Sequence, residues 1–382
     1  MPETPPTLFW FIPTSGDGRY LASPEGWRPP DIPYLREVAI AADRLGFEGA
    51  LLPVGPNCFD AWALTAAFAA DTERLKFLIA LRPGIISPTL AARQSAALDR
   101  LTNGRLLLNI VTGGDPAQLA GDGLHLDHDA RYKQTAEFLE IWRAVITDTP
   151  IHLSGAHFRV THDKPLNFPP VQKPYPPIYL GGASPAAIEV AAEHVDHYLI
   201  WAEPVDAVAA HIAKARAAGG RRGRELKFGI RLHLIVRETA AEAWAAADKL
   251  ISKIDDAQIE AARVARAGKT ESEGQRRQTA LHGYRRDALE IAPNFWVGAG
   301  LVRDGAGAAL VGDPDAVAAR IREYQAAGVE TFIASGYPHL EEAYNVAELL
   351  FPKLGIDGAR LRAPLRRDRE FGTERAPAAS AS

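Results

Sequence analysis

Eight short runs of apolar residues recur along this chain, separated for the most part by helical patterns. The runs are LFWFIP (8–13), GALLPV (49–54), KFLIALR (76–82), RLLLNIVT (105–112), PIYLGG (177–182), HYLIWA (197–202), KFGIRLHLIV (227–236) and TFIASG (331–336). Their apolar character is continuous rather than alternating, which fits parallel strands covered on both faces. YLREVAIAADRLG follows the first run and stops at Gly46, a suitable helix C-cap. PTLAARQSAALDRLTNG follows the third, and DPDAVAARIREYQAAG (313–328) opens with Asp313 as N-cap and Pro314 at the first helical position. Strand then helix, eight times over, predicts an α/β chain folded as a (β/α)8 barrel. An open, doubly wound sheet shares the alternation and stays as the structural alternative, because counting strands does not establish closure.

Two segments break the rhythm. Residues 150–175 contain IHLSGAHFRV, which reads as a small hairpin, followed by a proline-rich connector. Residues 252–300 are longer and polar, and read either as a lid over the barrel mouth or as a surface excursion. The expected organisation is one barrel domain over residues 1–362, with an Ala-, Pro-, Ser- and Arg-rich tail at 363–382 that composition marks as disordered.

Composition narrows the classes of function. With 382 residues, 47% of them hydrophobic and 24% charged, a large core is available. The net charge of −4 gives no electrostatic case for nucleic acid or an anionic membrane. The lone cysteine, Cys58, excludes an internal disulfide and a cysteine-based zinc site, and suits a cytoplasmic setting. Neither a signal-peptide pattern at the start nor an apolar stretch approaching about 18 residues is present, so no membrane span is expected.

In a barrel of this kind, chemistry sits at the C-terminal strand ends. Cys58 and Asp60 follow the second run, and Asn109 and Thr112 end the fourth. Gly181, Gly182 and Ser184 follow the fifth, and Trp201 ends the sixth. Arg231 and His233 share one face of the seventh, opposite Phe228, Ile230, Leu232 and Leu234. Tyr337 and His339 straddle Pro338 after the eighth. In GGASPAAIEV, Ser184 caps a helix with no acid in its first positions, and the glycines admit close backbone approach; this suits a phosphate, or simply a capped helix. Arg231 needs an anion, either a distant carboxylate or a ligand. Arg303 lies in the glycine-rich GAGLVRDGAGAALVG, flexible enough to close over a site. Tyr337, His339 and His233 are proton-handling candidates. His125 and His128, with Asp127 and Asp129, raise a metal alternative, but they cluster in one loop rather than across strand ends, so no metal site is assigned.

These residues lie within longer stretches that resemble a known family. FWFIPTSGDGRYL, NCFDAW, ALRPGIISPTLAARQSAALDRLTNGRLLLNIVTGGDP, GIRLHLIVRET, GLVRDGAGAALVG and SGYPHLEEAY resemble the alkanesulfonate monooxygenases of the bacterial luciferase superfamily, in the same order and across about residues 8–353. The resemblance implies a barrel with insertions. It also implies a two-component system in which a separate NAD(P)H-dependent reductase supplies reduced FMN. Dioxygen is the co-substrate, and carbon–sulfur cleavage releases sulfite and an aldehyde for sulfur acquisition. It places the sulfonate and catalytic set at Arg231, His233, Arg303, Tyr337 and His339, with Trp201 and Cys58 nearby. It places the flavin at Asp60, Asn109, Tyr132, Gly182 and Ser184, the last two holding its phosphate. A homo-oligomer, dimer or tetramer, is expected. Ser15, Arg19, Ala22, Pro56 and Phe59 depart from the family pattern near the expected pocket, which keeps methanesulfonate and a bulkier polyhydroxylated sulfonate such as sulfoquinovose in play as substrates. The rivals are a deazaflavin-dependent dehydrogenase of the same superfamily and a flavin-binding protein without catalysis.

Overall fold

The computed structural model describes residues 4–267 and 270–357; the expected tail at 363–382 lies outside the described residues. All eight apolar runs form strands: β1 (Thr7–Phe11), β2 (Gly49–Leu52), β3 (Lys76–Leu81), β4 (Leu106–Ile110), β5 (Ile178–Gly181), β6 (His197–Trp201), β7 (Lys227–Val236) and β8 (Thr331–Ser335). Each pairs in parallel with the next, and β8 pairs with β1, so the sheet closes into a barrel. Closure rules out the open, doubly wound alternative.

The helices start where local chemistry starts them. Asp31, Ser87, Ser184 and Asp313 each have extended backbone and accept a hydrogen bond from an N–H in the following first turn, and each of those helices carries a proline at its first or second position. Gly46 ends the first helix in the left-handed region, as expected. The outward faces of the strands and the inner faces of the helices make the main core, where Trp10, Phe77, Phe138 and Trp142 are fully buried.

The barrel interior is a second, smaller core. Phe9, Phe11, Leu51, Leu78, Leu107, Tyr179, Leu199 and Ile333 fill it from seven strands. Because side chains alternate along a strand, Phe228, Ile230, Leu232 and Leu234 join the outer core, and Gly229, Arg231 and His233 face inward. The seventh strand thus gives the interior no large apolar filler. Gly229 lies in register with Leu199 and Thr331, and a Cβ there would come within 2.6 Å of the Leu199 side chain and 2.9 Å of the Thr331 carbonyl.

Both insertions are structured. Ile151–Ser154 and Arg159–His162 pair as the expected antiparallel hairpin. The polar segment is not an unstructured excursion: it holds helices Asp256–Arg266 and Glu273–His282, each with a side-chain N-cap, and a short antiparallel pair of strands. The glycine-rich stretch that carries Arg303 is loop only in part. Its end, Ala309–Gly312, is a buried strand paired in parallel with the upper half of β7, because Leu310 and Val311 are apolar enough to extend the core.

Replacing Gly229 with Ala should overpack the interior and lower stability by about 1–3 kcal/mol, read as a reduced urea midpoint with an unchanged denaturant slope.

Candidate functional site

The upper end of the interior belongs to Arg231 and its neighbours. Arg231 is 6% exposed. Its Nη1 donates to the Leu232 carbonyl at 2.5 Å and its Nη2 to Ser335 Oγ at 2.8 Å, and its guanidinium stacks 4.6 Å from the centre of the Phe11 ring. No carboxylate pairs with it among the described residues. Burial pushes its pKa down to about 9, with nearby Arg303 adding to the shift. It remains cationic at neutral pH, but at a cost that an anion would relieve.

His233 completes the cluster. Its Nδ1 lies 2.7 Å from Ser335 Oγ and its Nε2 2.9 Å from the Ala306 carbonyl. A carbonyl only accepts, so Nε2 carries the proton and Nδ1 accepts from the serine hydroxyl. Burial, then the charges of Arg231 and Arg303, hold this histidine well below its usual range. It is a neutral bridge from the strand to the loop that carries Arg303, with both ring nitrogens engaged.

Arg303 is half-buried. Its Nη1 donates to the carbonyls of Asp304 and Ala306, and its guanidinium lies 5.8 Å from the centre of the Tyr337 ring. No carboxylate pairs with it among the described residues. The insertion fixes this loop. Gly305 N donates to Gln275 Oε1 at 2.8 Å and Gly307 N to Gln278 Oε1 at 3.1 Å, while Gln278 Nε2 donates to the Ala202 carbonyl above β6. Arg277 and Glu203 add an ion pair at 2.6 Å. Trp201 lies under the same helix, where a Cβ on Gly274 would meet its ring at 3.2 Å.

A cavity of about 250 Å³ opens beside this group, lined by Phe11, Ser15, Ala22, Arg303, Tyr337 and His339 among others. Burial raises the Tyr337 hydroxyl against the opposing charges of Arg303 and Arg231, so it stays protonated at neutral pH. His339 is 2% exposed and stands edge-on to Tyr337, their ring centres 5.0 Å apart.

The fourth and fifth strands build a separate cradle. Asn109 shares the inward face with Leu107, and its buried Oδ1 has no hydrogen-bond partner. At Gly182 a Cβ would stand 2.8 Å from the Tyr132 hydroxyl and 2.7 Å from the Ala187 Cβ, whereas nothing crowds Gly181 within 4 Å. Ser184 caps the helix Pro185–His194, whose first turn holds no acid. Glycine backbone, capping hydroxyl, phenol and an unengaged amide carbonyl suit a phosphorylated flavin. Asp60 instead spends its carboxylate on the N–H of Ala63, capping Ala61–Phe68, and Cys58 is a free thiol in the turn before it. The segment 270–275 bridges the two halves: Glu271 N donates to the Gly114 carbonyl and Glu271 pairs with Arg131 at 2.7 Å, while Gly274 sits over Trp201.

The structure thus brings Arg231, His233, Arg303, Tyr337 and His339 into one cluster, and Asn109, Tyr132, Gly182 and Ser184 line the neighbouring strand ends. Sequence reasoning missed Phe11, Ser335 and Asp17. Ser335 follows from alternation with the inward Ile333, two residues on. Asp17 is 322 residues from His339, whose Nδ1 lies 3.0 Å from its Oδ1, and only its place between two glycines marks it. Among the described residues no group of His, Cys, Asp and Glu could hold a metal ion, and no helix is long and apolar enough to cross a membrane.

Residues 7–331 match the luciferase-like monooxygenase family, and the chain belongs to it. Among solved structures it is similar to the EDTA monooxygenase EmoA from Chelativorans sp. BNC1, at 21% identity and a TM-score of 0.73, covering 95% of this chain and 97% of that one. It is also similar to riboflavin lyase, RcaE, solved with modified FMN and riboflavin, at 19% identity and a TM-score of 0.76 over 97% and 96% of the two chains. A third is an F420-dependent secondary alcohol dehydrogenase, at 16% identity and a TM-score of 0.66 over 92% and 99%. At these identities the likeness establishes the fold. The family places the chain in the flavin-dependent monooxygenase and oxidoreductase superfamily.

Because His233 binds a proton more weakly folded than unfolded, its contribution to stability is present above about pH 6.5, the ordinary histidine value, and is lost as pH falls below it. The urea midpoint should decline as pH drops from 6.5, and His233→Gln should decline less steeply over the same range.

Proposed function

We propose that this chain is the oxygenating component of a two-component system that desulfonates an organosulfonate. Reduced FMN, delivered by a separate NAD(P)H-dependent reductase, supplies two electrons and activates dioxygen when bound. One oxygen atom ends in the aldehyde and the other in water, and the carbon–sulfur bond breaks to release sulfite. The observation that carries this reading is the pair of guanidinium groups, neither with a carboxylate partner among the described residues: Arg303 lines a cavity on the barrel's C-terminal end, and Arg231 is buried against the Phe11 ring that lines the same cavity.

A sulfonate stays anionic at any physiological pH, so it calls for donors that stay charged. Arg303 lines the cavity and supplies the direct contact; Arg231, behind the Phe11 ring, adds positive potential from a rigid strand. Each charge-assisted hydrogen bond contributes about 1.5–3 kcal/mol. The protonated Tyr337 hydroxyl and His339 stand at the same wall, the first placed to donate to oxygen at the reacting centre. His233 is engaged at both nitrogens, so its part is to couple Arg231 to the loop. On this reading the helix Glu273–His282, packed on Trp201, acts as the cover that excludes water, which favours charged contacts in the site. Asn109, Tyr132, Gly182 and Ser184 would hold the flavin, with Asp60 and Cys58 shaping the turn beside it.

Ser15, Gly16, Leu21 and Ala22 form the wall facing these cations, so the substrate's tail is read there. Alkanesulfonates are the leading substrates, with methanesulfonate and sulfoquinovose as alternatives within the same chemistry. A cytoplasmic homo-oligomer engaged in sulfur acquisition completes the reading.

Single turnovers with reduced FMN, air and a panel of sulfonates should release sulfite. Arg231→Ala should lower sulfite release by at least about 100-fold, in keeping with loss of about 3 kcal/mol, while FMN binding is retained. Hydride transfer without oxygen consumption would replace this reading with that of a dehydrogenase, and unimpaired turnover in Arg231→Ala would remove the role given to the arginine.

A further inference from the structure

β5 ends at Gly181 and is followed by Gly182. Neither has a side chain to restrict its backbone, so the direction of the peptide groups here has to be set from outside. Gly182 N donates to the Leu199 carbonyl of β6 at 3.2 Å, which continues the sheet by one bond. The Gly182 carbonyl leaves the sheet and accepts instead from the Tyr198 hydroxyl. Tyr198 lies on β6, is 1% exposed, and belongs to the outer core. Its oxygen is also 2.9 Å from Nε2 of His211, on the helix Val205–Gly220, and the two rings stack at 12° with their centres 5.8 Å apart.

A phenol has one proton to give. The carbonyl only accepts, so that proton goes to Gly182, and His211 Nε2 carries the N–H that donates to the phenol oxygen. Burial raises the Tyr198 hydroxyl above the usual tyrosine range; burial and then the charge of Arg277 lower His211. At neutral pH the phenol keeps its proton and the imidazole is neutral. The three groups form a chain of donors that runs one way, from His211 through Tyr198 to the Gly182 carbonyl, and each bond strengthens the next.

This chain settles the peptide between Gly182 and Ala183. That peptide is trans, so the Ala183 N–H points opposite to the carbonyl. A carbonyl drawn to Tyr198 in the outer core leaves the N–H on the side away from that core. Among the described residues neither Ala183 N nor Ser184 N has an acceptor in the protein. The Ser184 hydroxyl accepts from Ala187 N at 3.2 Å and has its own proton uncommitted. Tyr132 and Ala187 leave no room for a side chain at Gly182, so glycine is required there. With glycine comes the freedom to turn the peptide over, which would put a carbonyl oxygen where a phosphate needs a donor.

We propose that Tyr198, backed by His211, is a positioning residue for the flavin phosphate: by holding the Gly182 carbonyl in the outer core, it keeps that oxygen out of the phosphate site and leaves the Ala183 N–H free to donate there. This rests on the flavin reading of the cradle and not on the identity of the substrate.

Riboflavin is the control, because it carries the same ring and ribityl chain without the phosphate. Affinities of the full-length protein for reduced FMN and reduced riboflavin are measured by anaerobic calorimetry. Wild type should prefer FMN. Tyr198→Phe removes one oxygen and keeps the ring; it should cut that preference by about 10-fold or more, through weaker FMN binding with riboflavin binding unchanged. His211→Leu should cut it in the same direction by a smaller factor, because the phenol still donates. A preference in Tyr198→Phe equal to that of wild type overturns the inference. So does a proportional loss of affinity for both flavins, which would make the role of Tyr198 purely structural. If Tyr198→Phe does not fold, His211→Leu decides by the same ratio. If wild type itself shows no preference for FMN, the cradle reading falls and this inference with it. A wild-type preference that both variants keep leaves the cradle in place and removes only Tyr198 and His211 from it.

Discussion

The burial of one guanidinium organises the upper end of this barrel. Seven strands close the interior with aromatic and aliphatic side chains, and the eighth contributor, β7, inserts Arg231 where a filler belongs. That choice costs desolvation, which the Phe11 ring, a backbone carbonyl and Ser335 offset only in part. The neighbouring features follow from it. Ser335 is small and hydroxylic because it must accept from Arg231 while donating to His233. His233 is neutral because two cations face it in a dry site. The loop after it carries a second arginine rather than an acid that would cancel the first. A barrel selected for stability alone would neutralise this charge internally.

The division of labour between strands is also physical. The cluster around β7 and β8 concentrates positive charge on rigid backbone and offers donors. The cradle on β4 and β5 offers neutral groups: an amide, a phenol, glycine backbone and a capped helix end. On the proposed reading, a dianionic phosphate at the helix-end N–H groups and a monoanionic headgroup at the guanidinium groups would be kept apart without a partition between the sites.

Much of the fold was legible because eight continuous apolar runs leave few alternatives, and because Asp–Pro and Ser–Pro starts mark helix entry without reference to the rest of the chain. Closure was not legible: it depends on the contact between β8 and β1, and no local pattern records it. The inward face of β7 could be read from alternation alone, which is why Arg231 and His233 stood out. Asp17 could not, since its partner lies at the far end of the sequence and its neighbours read as a turn. The two roles of GAGLVRDGAGAALVG were blurred for the opposite reason. Its glycines dominate any local reading, yet Leu310 and Val311 find a strand to extend once β7 is in place. Asp60 caps the helix Ala61–Phe68 through one of its carboxylate oxygens.

The helix Glu273–His282 touches the arginine loop through two glutamines, one of which also grips the carbonyl above Trp201. Helix and arginine loop are therefore one mechanical unit: a displacement of the helix would carry with it the backbone that positions Arg303.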